Sequence, residues 1–363
     1  MADATTSTLQ PRGHSITPQS NAFVEDEDRI TDTIKQVIGV VAAERTRQLH
    51  LRAIPLGAFG IPLGLAGVGG AWSVASSGGV IPRWPEEVWF GIACVLWLWF
   101  TTAYGISVLR HREILGSDLR HPAHGPFIAF IPVIGMVLNQ HYGSLYSAAS
   151  AWVCVALVGL LALVDASLIA QWLTGGVGRE ALHVGYLLPV VTGSFVSSIG
   201  LSAAGMPGPS VAAFGVGVFF FVVLGPIIIG RLIAGPPLPS SLRSTVAILL
   251  AAPSTGGLAL FANSDSGQSR LQLCSAGVVV AMFLAQVMLI PYYRRIPFGL
   301  AYWAFLFPLA SAASYAIRWI QLGDSAIANV ATWASLGVLT LVVAAISVAS
   351  IVYALRQSGG NPI

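Results

Sequence analysis

Charged residues are scarce in this chain of 363 residues: only 9% of them are charged, whereas 55% are hydrophobic. Soluble globular domains carry roughly 25% charged residues, so the composition excludes a protein whose whole surface faces water. Apolar stretches of about 20 residues, the length that spans the hydrocarbon core of a lipid bilayer, follow one another from Ile54 to Leu355. The sequence therefore predicts an all-α integral membrane protein with little room for a second, soluble domain.

Motifs for catalysis and cofactor binding are also missing. The chain has no HExxH, GxSxG, P-loop or dinucleotide-binding glycine pattern, so we predict no enzyme and no cofactor. The three cysteines, Cys94, Cys154 and Cys274, lie in apolar segments without CxxC spacing, which gives no support to a disulfide framework or a thiolate metal site. The net charge of +3 comes from basic residues scattered in short loops, which argues against binding of nucleic acid.

One loop contains three histidines, His111, His121 and His124. Their H-x9-H-x2-H spacing, with prolines in between and after, matches no zinc-binding pattern. We interpret the segment as a solvated basic loop and predict no metal site. A membrane enzyme or sensor that uses these histidines is the alternative from a different functional class.

The N-terminal region differs from the rest of the chain. Residues 1–28 are polar and lack the apolar core of a secretory signal, so they predict a disordered cytoplasmic tail. Apolar residues then recur at helical spacing over residues 29–51, which predicts an amphipathic juxtamembrane helix. We interpret this helix as a solvated spacer, with binding to anionic lipid or cover of a pore mouth as the alternatives.

Ten hydrophobic segments, bounded by glycine, proline and charged turns, predict ten membrane spans within a domain of residues 52–356, followed by a short cytoplasmic tail of residues 357–363. Span 3 is short, and spans 4 and 10 are long enough to tilt. Numbered in chain order, the predicted spans 1 to 10 cover approximately residues 54–77, 87–109, 125–140, 145–173, 183–204, 210–233, 243–262, 271–292, 297–320 and 325–355.

Lysine and arginine give an independent test of this count, because they are kept out of translocated loops. With a cytoplasmic N-terminus, ten spans place 15 of the 18 lysines and arginines on the cytoplasmic side. The other three, Arg83, Arg270 and Arg318, fall on the outer side. Nine or eleven spans would scramble this partition, so we predict that both termini lie in the cytoplasm.

The odd-numbered spans each carry a proline inside the apolar stretch, whereas span 6 alone among the even spans does. Such a proline removes a backbone hydrogen bond and kinks the helix, and in hydrocarbon the freed carbonyl needs a partner from protein or water. We therefore predict five helical hairpins, with an inner ring of five kinked helices around a pore and an outer ring of five helices. The kink positions are Pro62, Pro132, Pro189, Pro253 and Pro308.

Small polar residues concentrate on the same odd spans. The inner spans contain no Asp, Glu, His or Lys at mid-depth, where a proton-coupled carrier normally places a titratable group. A neutral path can still favour anions through backbone dipoles at helix breaks and a positive field at one mouth. This predicts passive flow of a small anion. The candidate pore-lining residues are Gly60, Gly64, Ser194, Ser198, Ser254, Thr255 and Ser311.

Four segments on the predicted inner spans resemble the tellurite-resistance/dicarboxylate transporter family. They are LGAFGIPLGL (residues 56–65), HP followed by F and IPV (121–133), LPV followed by SFV (188–196), and WAFLFP (303–308). The resemblance covers roughly residues 54–355. The family includes bacterial tellurite-resistance protein homologues, yeast malate and sulfite transporters and plant slow-type anion channels, so the resemblance does not specify a substrate.

The resemblance implies a homotrimer with a pore in each subunit, and a phenylalanine of span 9 that occludes this pore. The matching residue is Phe307, immediately before Pro308, and Phe305 is the alternative by register. The predicted function is transport of an inorganic anion or a C4-dicarboxylate, by a channel or uniporter-like pore in the bacterial cell (inner) membrane. A proton-coupled carrier or efflux permease for dicarboxylate, sulfite, tellurite or an anionic metabolite is the alternative.

Overall fold

The computed structural model describes residues 54–358, apart from residues 80, 176, 179–180, 265–268 and 324–325. The predicted cytoplasmic tail, residues 1–28, and the predicted amphipathic helix, residues 29–51, lie outside this part of the chain. So do residues 359–363 of the predicted C-terminal tail.

Regular structure in the described residues is entirely helical. Nine of these helices are long and apolar enough to cross a membrane. A bent pair, Glu113–Arg120 and Gly125–Tyr146 at 116°, gives ten if it counts as one span. In chain order the spans are Leu56–Ser76, Trp84–Arg110, Gly125–Tyr146, Ala149–Leu173, Val184–Ala203, Pro207–Ala234, Ser240–Ala262, Arg270–Met288, Leu300–Ile320 and Ile327–Arg356.

The start of span 2 differs from the sequence prediction. The helix begins at Trp84 rather than at residue 87, with Pro85 in its first turn, a position where the missing N–H of proline costs nothing. Glu86 and Glu87 therefore lie in the first helical turn, where a carboxylate interacts favourably with the positive end of the helix dipole.

Odd and even spans differ sharply in burial. Between 56% and 94% of the residues are buried in spans 1, 5, 7 and 9, against 11% to 22% in the five even spans. The even spans instead expose large apolar side chains such as Leu163, Val222 and Leu341, as suits contact with lipid. The odd spans thus form the interior of the described structure, and the even spans its apolar surface.

Each odd span begins with a 3-10 segment, and a proline follows within or near the first turns of the next helical segment. Pro62, Pro132 and Pro308 are third residues of α-helices, and Pro253 is the sixth. In span 5 the proline lies in a π-helix, Leu188–Gly193. A change in hydrogen-bond spacing therefore accompanies every one of these prolines, which cannot donate a backbone bond. The 3-10 segments are Leu56–Phe59, Gly125–Ala129, Val184–Tyr186, Ser240–Ala247 and Leu300–Phe305.

Glycines bring neighbouring spans into close contact. A Cβ atom on Gly64 would lie only 2.8 Å from the Leu306 Cβ atom. The backbone of span 1 therefore packs directly against the Leu306 side chain of span 9. The ring of Phe195 likewise fills the room left by Gly217 of span 6 and Gly256 of span 7.

Candidate functional site: two cavities along the odd spans

A cavity of about 440 Å³ lies among the odd spans; we call it the wide cavity. Each odd span contributes to its wall, and Phe90 of span 2 completes it. In spans 1, 3, 5 and 7 the contributing residues lie from the middle of the span onward, and in span 9 they run from Phe307 to Arg318. One representative from each odd span, in order, is Gly67, Gln140, Val196, Thr255 and Ser311.

A second cavity of about 20 Å³, the narrow cavity, is also lined by all five odd spans. This volume has room for about one water molecule, so the passage is closed to a hydrated ion. In spans 1, 3, 5 and 7 the lining residues precede those of the wide cavity in sequence, and in span 9 the two sets overlap at Phe307. The two cavities therefore follow one another along the same five helices. Representatives of the narrow cavity are Leu63, Phe130, Leu188, Ile248 and Pro308.

Phe307 belongs to the wall of both cavities. Its side chain is 6% exposed, and it lies against Gly67 of span 1, where an added Cβ atom would come within 3.2 Å of the Phe307 ring. The missing side chain at Gly67 thus provides space for the ring. Phe307 is the residue at which the wide and narrow cavities meet.

Phe305, the alternative gate residue predicted from the sequence, packs among other aromatic rings. Its half-buried ring contacts Tyr293 and Tyr302, with ring centroids 4.8 Å and 5.6 Å away. It lines neither of these two cavities.

Three of the seven predicted pore-lining residues border the cavities. Gly60 lines the narrow cavity, whereas Thr255 and Ser311 line the wide one. Both hydroxyls donate hydrogen bonds within their own helices, Thr255 to the carbonyl of Ala251 and Ser311 to that of Pro308.

The other four predicted residues are buried in contacts between or within helices. Gly64 packs against Leu306, while Ser194 and Ser254 donate to carbonyls of their own helices. Ser198 accepts a hydrogen bond at 2.9 Å from Asn263, and this amide together with Ser210 links spans 5, 6 and 7. The presence of a hydroxyl group therefore does not show whether a side chain lines a cavity or is hydrogen-bonded to other parts of the protein.

The wall of the wide cavity also contains residues that sequence reasoning missed, notably Gln140, His141, Ser314 and Arg318. The residue spacing in span 9 could have identified two of these residues. Phe307, Ser311, Ser314 and Arg318 are spaced by four, three and four residues, which places them on one helix face.

A cluster at the edge of the wide cavity has a composition that could hold a divalent cation. One ligand atom each of Glu86, Glu87 and His141 lies within 4.8 Å of the others. Glu86 accepts a hydrogen bond of 2.6 Å from Ser76, and His141 Nε2 lies 3.1 Å from a carboxylate oxygen of Glu87. Sequence reasoning did not detect this grouping, because His141 is far along the chain from the two adjacent glutamates.

The predicted histidine loop has a different local structure. The rings of His121 and His124 stack with centroids 4.7 Å apart. The Nδ1 atom of His121 accepts hydrogen bonds from the backbone N–H groups of Ala123 and His124. At least one nitrogen of His121 is therefore used to hold the turn.

His183 lies just before span 5 and is fully buried. Its Nδ1 atom accepts a hydrogen bond from the backbone N–H of Gly185, and burial lowers the pKa of the imidazole to about 4. The side chain is therefore neutral at pH 7 and adds no positive charge to this end of the odd spans.

Comparison with known proteins gives a match over most of the chain. Residues 53–351 match the family model described as voltage-dependent anion channel. The tellurite resistance protein TehA homolog of Haemophilus influenzae is 25% identical over 269 residues, which are 72% of this chain and 80% of that protein.

Plant channels are similar as well. The S-type anion channel SLAH3 of Arabidopsis thaliana is 23% identical over 334 residues, 89% of this chain and 52% of that protein. The guard cell S-type anion channel SLAC1 of the same plant is 23% identical over 310 residues, 80% of this chain and 54% of that protein. The chain thus spans most of the bacterial relative and about half the length of these two plant channels.

Proposed function

This chain belongs to the voltage-dependent anion channel family, and we propose that it conducts small anions passively through a pore gated by Phe307. The anion is an inorganic anion or a C4-dicarboxylate, and the membrane is the bacterial cell membrane. In this proposal the five odd spans form an inner ring around the pore, and the even spans form an outer ring.

The position of Phe307 carries the proposal. The wide and narrow cavities follow one another along the same five spans, and this ring is common to both walls. An anion that enters the wide cavity meets the Phe307 ring before it reaches the narrow cavity. A phenyl ring across a passage blocks an ion both by its volume and by excluding the water that would hydrate it.

The chemistry of the walls supports passive flow. Arg318 of the wide cavity is the permanently charged residue of the two walls, and no Asp or Glu among the described residues lines either cavity. His141, the titratable residue of the wide cavity, lies 3.1 Å from Glu87, and the described wall of the narrow cavity has no titratable residue. A coupled carrier normally needs a titratable group on the path. Neutral walls with a positive residue and without carboxylates favour anions over cations.

The assembly and orientation extend the proposal. Following the family resemblance, the protein forms a homotrimer with one pore in each subunit. Following the charge partition, both termini lie in the cytoplasm, and the wide cavity is on the outer side with Arg318.

Anion flux into liposomes tests this function. We expect Phe307→Ala to raise chloride flux at least ten-fold over the unaltered protein, because the ring no longer fills the junction of the cavities. Phe305→Ala is the matched control and should leave the flux within two-fold, since that ring lines neither cavity. Unchanged flux through correctly inserted Phe307→Ala protein would refute the gate.

A proton-coupled carrier is the second candidate, and one observation favours it. Asp165 of span 4 is 8% exposed, and its Oδ1 atom has no hydrogen-bond partner in the described part of the protein. Under this alternative, uptake of a dicarboxylate such as malate requires a pH gradient and is lost in Asp165→Asn. Under the channel proposal, flux follows the anion gradient alone, and Asp165→Asn leaves it unchanged.

A further inference from the structure

Arg318 occupies a distinctive place in the wide cavity. It lies on the same face of span 9 as Phe307, eleven residues further along the helix. At a rise of 1.5 Å per residue, this places the two Cα atoms about 16 Å apart along the helix axis. The arginine is therefore three turns away from the ring, toward the end of the span where the wide cavity lies.

Arg318 has no acidic partner within the described ranges of the chain. No carboxylate of the described residues lies within ion-pair distance of its guanidinium group. The two glutamates at the edge of the wide cavity have other partners: Glu86 accepts a hydrogen bond from Ser76, and Glu87 lies 3.1 Å from His141. The positive charge therefore acts on the cavity.

The hydroxyl groups around Arg318 offer little to an anion. Thr255, Ser311 and Ser314 donate their hydroxyl protons to carbonyls within their own helices, at 2.6, 3.0 and 2.9 Å. Because these hydrogen bonds use the hydroxyl protons, only the oxygen lone pairs are available to a ligand in the cavity. Lone pairs repel an anion. The guanidinium group, with five N–H donors and a permanent charge, is the group of this wall best suited to attract one.

An aromatic ring holds the guanidinium group at the wall. The Arg318 Cζ atom lies 5.8 Å from the centroid of Phe261, and both residues line the wide cavity. The Phe261 ring itself packs in a tilted contact with Tyr315 and an edge contact with Trp319. Stacking on a ring face leaves the N–H edge of arginine free for a ligand.

We infer that Arg318 is an electrostatic capture site for small anions in the wide cavity, ahead of the Phe307 constriction. The site concentrates anions at the mouth and is separate from the gate, which is three helical turns away. This inference rests on the proposed function, since capture is of use only if anions pass.

Conductance at two salt concentrations tests the inference in the Phe307→Ala background, where current is measurable. At 10 mM KCl the screening length is about 30 Å, against about 3 Å at 1 M. We expect Arg318→Gln to lower the conductance three- to ten-fold at 10 mM and less than two-fold at 1 M. Arg318→Lys keeps the charge and should stay within two-fold of the parent at both concentrations.

Arg270→Gln is the control, because it removes an exposed arginine from the same predicted side of the membrane, at a residue that lines neither cavity. Equal losses in Arg270→Gln and Arg318→Gln would overturn the capture site, as would a loss in Arg318→Gln that persists at 1 M. Absence of current in the Phe307→Ala parent would instead contradict the proposed function, so the two failures are distinguishable.

Discussion

At the scale of single residues, the narrow cavity beside the Phe307 ring is apolar. The narrow cavity is bordered by Leu63, Phe130 and Ile248, each at most 5% exposed. Such a surface does not replace the hydration shell of an ion. In the proposed function, the block therefore combines the Phe307 ring with the apolar cavity that follows it.

Phe130 lines the narrow cavity together with Trp303 and Phe307 and gives a test of this combination. Its ring stacks on Phe127 with centroids 5.2 Å apart. We expect Phe130→Ala alone to leave chloride conductance within two-fold of the unaltered protein, because Phe307 still separates the cavities. Added to Phe307→Ala, it should raise the conductance at least two-fold further.

Recordings in planar bilayers would distinguish the outcomes. A large current from Phe130→Ala alone would mean that Phe130, not Phe307, closes the path. Removal of a buried phenylalanine costs about 3–5 kcal/mol of stability, so each variant needs a check of its elution and thermal unfolding in detergent.

At the scale of helices, the sequence predicted the spans and their burial well, because two of its patterns have simple physical causes. Apolar length predicted the spans, and the prolines marked the ones that are buried. Span 2 was started too late, because Glu86 and Glu87 look like loop residues until they are recognised as the first turn after Pro85. The cluster of these glutamates with His141 joins distant parts of the chain, so no local pattern reports it.

Side-chain direction was the harder problem at this scale. Ser194, Ser198 and Ser254 looked suited to a pore, yet they bond to carbonyls or to a neighbouring amide. Arg318 was read only as a topology marker, whereas its spacing from Phe307 places it in the wide cavity. Helix-face analysis, applied once Phe307 was singled out, would have found it.

Packing of spans 5, 6 and 7 around Phe195 gives a prediction at the scale of helices. A Cβ atom on Gly217 would come 2.6 Å from the Phe195 ring, and one on Gly256 would come 3.0 Å from it. The ring packs against both glycines, so we expect Gly217→Ala to lower the stability by about 1–3 kcal/mol through overpacking.

Thermal unfolding in detergent measures this effect, with Gly215→Ala as the control. A Cβ atom on Gly215 meets nothing within 4 Å, so the control should be neutral or slightly stabilising. If both variants unfold at the same temperature, the Phe195 ring is not fixed by these glycines.

At the scale of the whole molecule, the described spans divide into a buried odd-numbered set and an exposed, apolar even-numbered set. The ring arrangement, the homotrimer and the orientation set by the 15 cytoplasmic arginines and lysines are predictions that follow from this division and from the family. They place the wide cavity and Arg318 outside, and the narrow cavity toward the cytoplasm.

The most direct test of the central claim is the reversal potential of Phe307→Ala current in a planar bilayer, under a ten-fold KCl gradient at equal pH. A passive anion pore predicts current without any proton gradient. It also predicts a reversal potential close to the chloride equilibrium value, about 59 mV for a ten-fold ratio. A reversal potential near zero or of the opposite sign, or a current that appears only with a pH gradient, would contradict the account.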